Sequence, residues 1–137
     1  MSLVFLLLAL LLGGFGLSFG TGTGSTDSLQ SRVAEAIPSW AARQGQTGNP
    51  RYLAGARLFA KSGCTNCHTY LGMGSSNLGG PDLSAEGTNG HSVSYLVAKL
   101  RCPSCVTPGS PMPAFAALET SNLRKVALFL EASKRGH

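Results

Sequence analysis

The sequence predicts an all-α fold with long loops, on three observations. Three stretches space their apolar residues at a helical period, and no stretch of useful length alternates apolar with polar residues. Glycine and proline, 18 and 7 of the 137 residues, make nearly a fifth of the chain turn-prone. A chain of this length has room for one domain, which excludes a multidomain enzyme with a large buried substrate cleft.

Residues 1–19 stand apart from that domain. Leu3 to Phe19 is an apolar run, about 25 Å long as a helix, at the short limit for crossing a hydrocarbon core, and no charged side chain precedes Asp27. This segment is expected to be a retained membrane anchor. The competing interpretation, a cleaved signal peptide, would want a basic leading segment, and it finds only a weak cleavage site at Ser18-Phe19-Gly20. A lipoprotein anchor is disfavoured because no cysteine follows the run.

Residues 20–49 form a linker and a short helix. Gly20 to Ser25 has the composition of a flexible connector. Asp27 is placed to N-cap a helix with Leu29, Val33, Ala36 and Ile37 on one face, and Pro38 is expected to end it. Trp40 follows, so the segment either lies on the domain or the membrane interface, or docks another subunit through that indole. Gln44 to Pro50 is a polar hinge.

Residues 50–137 carry the domain proper. The first helix is expected from Pro50 to Ala60, with Leu53, Ala56, Phe59 and Ala60 on its apolar side. The second spans roughly Ser92 to Arg101, with Val93, Leu96, Val97 and Leu100 as its stripe. The third opens near Thr120 or Ser121, carries Leu123, Val126, Ala127 and Leu130, and is expected to end in Lys134-Arg135-Gly136. A core of this size often needs a staple or a cofactor.

Cys64-Thr65-Asn66-Cys67-His68 is C-x-x-C-H, the attachment sequence for c-type haem. Two thiols three positions apart at a helix end can each form a thioether to one vinyl group, and the adjacent imidazole then binds the iron. A bare C-x-x-C would also suit half a zinc site or a thioredoxin-like pair. Zinc would want further well-placed ligands, and no βαβ pattern surrounds the motif.

From Gly55 to the C-terminus the chain resembles the small single-haem cytochromes c of the His/Met type. Gly55-Ala56-Arg57-Leu58-Phe59 is similar to the first-helix pattern of that family, in which a glycine and an aromatic residue let the first and last helices cross closely. Gly80-Pro81-Asp82-Leu83 resembles the loop whose proline carbonyl accepts a hydrogen bond from Nδ1 of the iron-bound histidine. Here the resemblance implies Pro81 and His68. Pro111-Met112-Pro113 resembles the loop that presents the sixth ligand, and Leu123 to Leu130 the closing helix. The implied fold is three main helices wrapped around one covalent haem c, held by Cys64, Cys67, His68 and Met112.

Met112 follows His68 at a distance that lets the chain wrap a haem and return to its other face, and flanking prolines keep its loop out of a helix. A thioether sulfur raises the reduction potential and closes the site where oxygen or peroxide would bind. Met73, close to His68 in sequence, and His91 are its competitors. Cys102-Pro103-Ser104-Cys105 lacks a following histidine, so a second covalent haem is disfavoured. With Cys64 and Cys67 as thioethers in an oxidising compartment, Cys102 and Cys105 are expected to form a disulfide, with a redox-active thiol pair as the alternative.

Charge completes the sequence-level picture. Lys and Arg exceed Asp and Glu by 11 to 6, and the whole surplus lies from Pro50 onward. Arg57, Lys61, Lys99, Arg101, Arg124 and Lys125 are candidates to ring an exposed haem edge and steer an acidic partner, the alternative being an ordinary solvated face. No basic run with aromatic interleaving suggests nucleic acid. The expected function is one-electron transfer between membrane redox complexes, without catalysis of its own, as a tethered shuttle or as the cytochrome c subunit of a respiratory or photosynthetic complex. The alternative is a haem sensor or small haem enzyme with a labile sixth ligand. Cys64 to Gly74 is also similar to anchored cytochrome subunits of nitric oxide reductases and related oxidases. The anchor would sit in the bacterial cytoplasmic membrane with the haem domain on the periplasmic side.

Overall fold

The structure, a computed structural model, describes residues 28–135. The proposed anchor, the Gly-rich connector and Asp27 lie outside the described residues. The described part is mostly helical. Helix α1 spans Leu29–Arg43, α2 Pro50–Lys61, α3 Val93–Arg101, α4 Pro103–Val106 and α5 Thr120–Ala132. Short 3₁₀ turns cover Cys64–Asn66 and Glu86–Thr88. Strands β1 (Thr69–Tyr70) and β2 (Met73–Gly74) pair antiparallel, with Tyr70 opposite Met73. They are too short to leave an alternating pattern in the sequence. Their two-residue turn, Leu71-Gly72, has positive φ at both positions (46° and 83°), the twist that hairpins favour.

Helix α1 departs most from expectation. Ser28 caps it, its Oγ accepting from Ser31 N–H at 3.2 Å. The helix does not stop at Pro38 but runs five residues further, to Arg43. Trp40 explains why. Its indole is 2 % exposed, packed edge-on to Phe59 at 6.3 Å and tilted against Tyr70 at 4.6 Å. Helical continuation carries Trp40 and Ala41 into the core beside Val33 and Ile37. The tryptophan is therefore a core residue and is not offered to another subunit.

Helices α2 and α5 cross at Gly55. A β-carbon there would run into the Lys125 carbonyl and the Phe129 side chain, so glycine sets the closeness of the crossing. Asn49 caps α2 by accepting from Arg51 and Tyr52 N–H at 3.0 and 3.4 Å, and Pro50 occupies the first turn. Helix α3 is capped by Ser92, which accepts from Tyr95 N–H at 3.1 Å, and it also packs on α5.

Between the crossing helices lies a fully buried hydroxyl chain. Ser133 Oγ donates to the Phe129 carbonyl at 2.8 Å, so Tyr70 must donate to Ser133 (2.6 Å) and Tyr52 to Tyr70 (2.9 Å). Burial pushes both tyrosine pKa values above the ordinary range.

Helix α5 ends at Ala132, short of the predicted Lys134-Arg135 stop. Gln44, 5 % exposed, captures the residues beyond that end: its Oε1 accepts from Lys134 and Arg135 N–H at 3.0 and 2.9 Å. Its Nε2 donates to the Ser84 and Arg135 carbonyls, both at 2.8 Å. These bonds pull the chain end out of helical register and tie it to α1.

Candidate functional site

One cavity, of about 330 Å³, opens between the Cys64–Asn66 turn, α3, α5 and the loop before α5. Phe59, Leu83, Leu96, Leu100, Val126 and Leu130 give it an apolar interior. Cys64, Cys67, His68, Pro81 and Met112 all line it. Residues 44 positions apart in the sequence, His68 and Met112, are thus brought to one space.

Each side chain is positioned by its element. The 3₁₀ turn closes when Cys67 N–H and His68 N–H both donate to the Cys64 carbonyl, at 3.2 and 3.0 Å, which sets both cysteines and the histidine against the cavity. Burial pushes the Cys64 thiol up to about 12. A thiol so disfavoured as thiolate is a poor nucleophile at neutral pH, which weighs against a thioredoxin-like pair. Among the described residues no three His, Cys, Asp or Glu side chains gather as a metal-binding group, so the two thiols find no zinc-type complement.

His68 Nδ1 lies 2.9 Å from the Pro81 carbonyl. A carbonyl only accepts, so in the neutral ring Nδ1 carries the proton and Nε2 keeps its lone pair. The loop that delivers Pro81 is laced to the strand after His68. Asp82 accepts from Thr69 Oγ1 and Ser84 N–H, both at 2.8 Å, and Leu83 N–H donates to the Thr69 carbonyl at 2.9 Å. Gly80 makes the approach possible, because a β-carbon there would strike the Cys67 carbonyl.

Met112 sits half-buried between Pro111 and Pro113, with its N–H donating to Ser110 Oγ at 3.3 Å. Phe115 N–H donates to the Leu100 carbonyl at 2.9 Å and anchors the loop to α3. Cys102 and Cys105 form a disulfide at the start of α4, where the chain leaves α3 for this loop.

The two competing ligands are placed differently. Met73 packs against the core from β2 and does not line the cavity. His91 does line it, but its Nδ1 is 2.7 Å from Glu86 Oε1 and its ring stacks on Tyr95 at 4.2 Å.

Of the six cations named from the sequence, only Lys99 lines the cavity. Arg57 lines a shallow groove between α1 and α2, Arg101 donates to Thr120 Oγ1 at 2.8 Å, and Lys125 donates to Asn122 at 3.2 Å.

Sequence reasoning also missed Glu86 and Tyr95 on the wall. Tyr95 and Lys99 are four apart and flank the Leu96–Leu100 stripe, a spacing that would have placed them together. Glu86 left no such signal.

No family model, no curated protein and no solved structure matches this chain. The site is therefore read on its own chemistry: two thiols, an imidazole nitrogen and a thioether converging on one apolar space.

Proposed function

We propose that this chain is a one-electron carrier of the single-haem c-type cytochrome kind. The observation that carries the proposal is the meeting of Cys64, Cys67, His68 and Met112 on the wall of one apolar cavity. Its size falls within the range of small-molecule and cofactor pockets. The residues fit the group that the C-x-x-C-H sequence implies.

A haem held there supplies an iron that gains and loses one electron. The chain does the rest. Cys64 and Cys67 hold the group against loss. The Pro81 carbonyl fixes the His68 ring and raises the basicity of its Nε2. Met112, set between prolines, offers sulfur in place of an exchangeable ligand. The apolar lining excludes water, and the laced Gly80–Ser84 loop and the Phe115 anchor hold both sides of the site in one arrangement. The protein passes charge to redox partners and makes no bonds itself. In this proposal residues 1–19 confine it to the bacterial cytoplasmic membrane with the cavity on the outer side, as a shuttle or as a subunit of a larger complex.

The test is spectroscopic. Produced with haem-attachment machinery, the full chain is expected to retain its haem under denaturation. The reduced protein is expected to ignore carbon monoxide at neutral pH, and Met112→Ala to bind it rapidly with a lowered midpoint potential. Absence of covalent haem, or rapid carbon monoxide binding by the unaltered protein, overturns the proposal. The second of these outcomes would favour a sensor or small haem enzyme.

A further inference from the structure

We infer that Glu86 and His91 form a proton-binding site coupled to the electron site, so that the chain takes up a proton with its electron. The inference rests on the proposed electron-carrier function.

Glu86 is a carboxylate in a wall that is otherwise largely apolar, and it is 9 % exposed. A buried carboxylate persists only with partners, and here both oxygens have one. Oε1 is 2.7 Å from His91 Nδ1, and Oε2 accepts from Asn89 Nδ2 at 2.8 Å. Because a carboxylate accepts, Nδ1 of His91 is the donor whether the ring is neutral or cationic. Nε2 is then the atom that gains and loses a proton. The His91 side chain is 38 % exposed, so the ring has access to solvent protons, while it is stacked against Tyr95.

The pair is also fixed in place. Glu86 N–H donates to the Leu83 carbonyl at 3.2 Å, and Gly87 N–H to the Ser133 carbonyl at 2.7 Å, pinning the segment to the end of α5.

The surrounding groups leave the role to His91. Tyr95 stacks on it and Lys99 lines the same cavity, both from α3, and Lys99 donates to Thr107 Oγ1 at 2.6 Å. Glu131 and Lys134, at the end of α5, pair with each other at 3.8 Å. His68 stands on the cavity wall with Nδ1 committed to Pro81. Imidazole is the side-chain type that exchanges protons near neutral pH. An electron entering the cavity adds one negative charge to a low-dielectric space lined by His91, and this favours its cationic form. One electron arrives from the redox partner and one proton from water binds Nε2. On oxidation both leave, so the net charge of the molecule is unchanged.

The experiment is a spectroelectrochemical titration of the intact haem-loaded protein from pH 5 to 9, on the unaltered chain, His91→Asn and Glu86→Gln. The midpoint potential of the unaltered protein is expected to fall with rising pH, by up to about 59 mV per unit, the equivalent of a tenfold change for one electron. His91→Asn is expected to abolish that slope while keeping a Met-ligated spectrum. Glu86→Gln is expected to flatten it, because the imidazolium loses its counter-charge. NMR titration of the His91 ring in the unaltered protein reads the same proton directly, and a higher affinity in the reduced state is expected. A Met-ligated protein whose potential is independent of pH, a slope that survives in His91→Asn, or identical ring titrations in both oxidation states overturns the inference alone. A protein without a Met-ligated haem overturns the function on which it rests.

Discussion

His68 and Gly55 act through single atoms. The Pro81 carbonyl dictates which nitrogen of the neutral His68 ring carries the proton, and so which keeps its lone pair. At Gly55 the missing β-carbon permits the approach of the Lys125 carbonyl. Gly55→Ala would gain about 1 kcal/mol in helix propensity. It would also force two helix backbones apart, an overpacking cost of about 1–3 kcal/mol that includes the loss of the Phe59–Phe129 ring contact at 5.1 Å. The clash is with backbone, which has no rotamer to escape into, so a net loss is expected. Thermal melting followed by circular dichroism checks it, and an unchanged or raised midpoint would show that the crossing yields. Leu71 is a second such residue. It holds φ at 46° at a cost of about 1–2 kcal/mol, kept by its burial and by the bond from its N–H to Ser84 Oγ at 2.7 Å.

Helix α1 illustrates how an element is decided by the side chains it buries. Proline within a helix costs about 3 kcal/mol. Burying a tryptophan removes some 150–250 Å² from water, worth about 4–6 kcal/mol at 25 cal/mol per Å². The second term is larger, so the helix passes Pro38 and delivers Trp40 to Phe59 and Tyr70. One turn later Gln44 uses both ends of its amide on the chain end and on Ser84. Gln44→Ala leaves buried carbonyls and N–H groups without these partners and is expected to lower stability by about 1–3 kcal/mol. Faster amide hydrogen exchange at Lys134 and Arg135 is expected with it. Unchanged exchange there would show that the chain end is held by other contacts.

Across the whole molecule, the Tyr52–Tyr70–Ser133 chain links α2, the hairpin and the end of α5. Both phenols titrate above the ordinary value of 10.0, because burial penalises the charged form. Above that pH the unfolded chain releases protons that the native state still holds. The unfolded state then binds fewer protons, and stability falls as pH rises. Below it these groups contribute no pH dependence. Denaturant midpoints are therefore expected to decline above pH 10, and to decline less in Tyr52→Phe. Equal alkaline sensitivity in that variant would remove Tyr52 from the cause.

The helical class, and the set Cys64, Cys67, His68, Pro81 and Met112 that lines the cavity, were legible in the chain itself. Helical spacing from Leu53 to Ala60 and from Leu123 to Leu130 is a local property, and so is the arrangement Cys64, Cys67, His68. Neighbouring residues carry these signals whatever the rest of the molecule does. Tertiary structure alone decided that α1 runs through Pro38, that Gln44 holds the residues after α5, that Lys99 is the one named cation on the cavity wall, and that Glu86 meets His91 there. The path of α1 and the end of α5 turn on burial beside residues remote in sequence, and a desolvated side chain is satisfied only by partners that the fold brings to it.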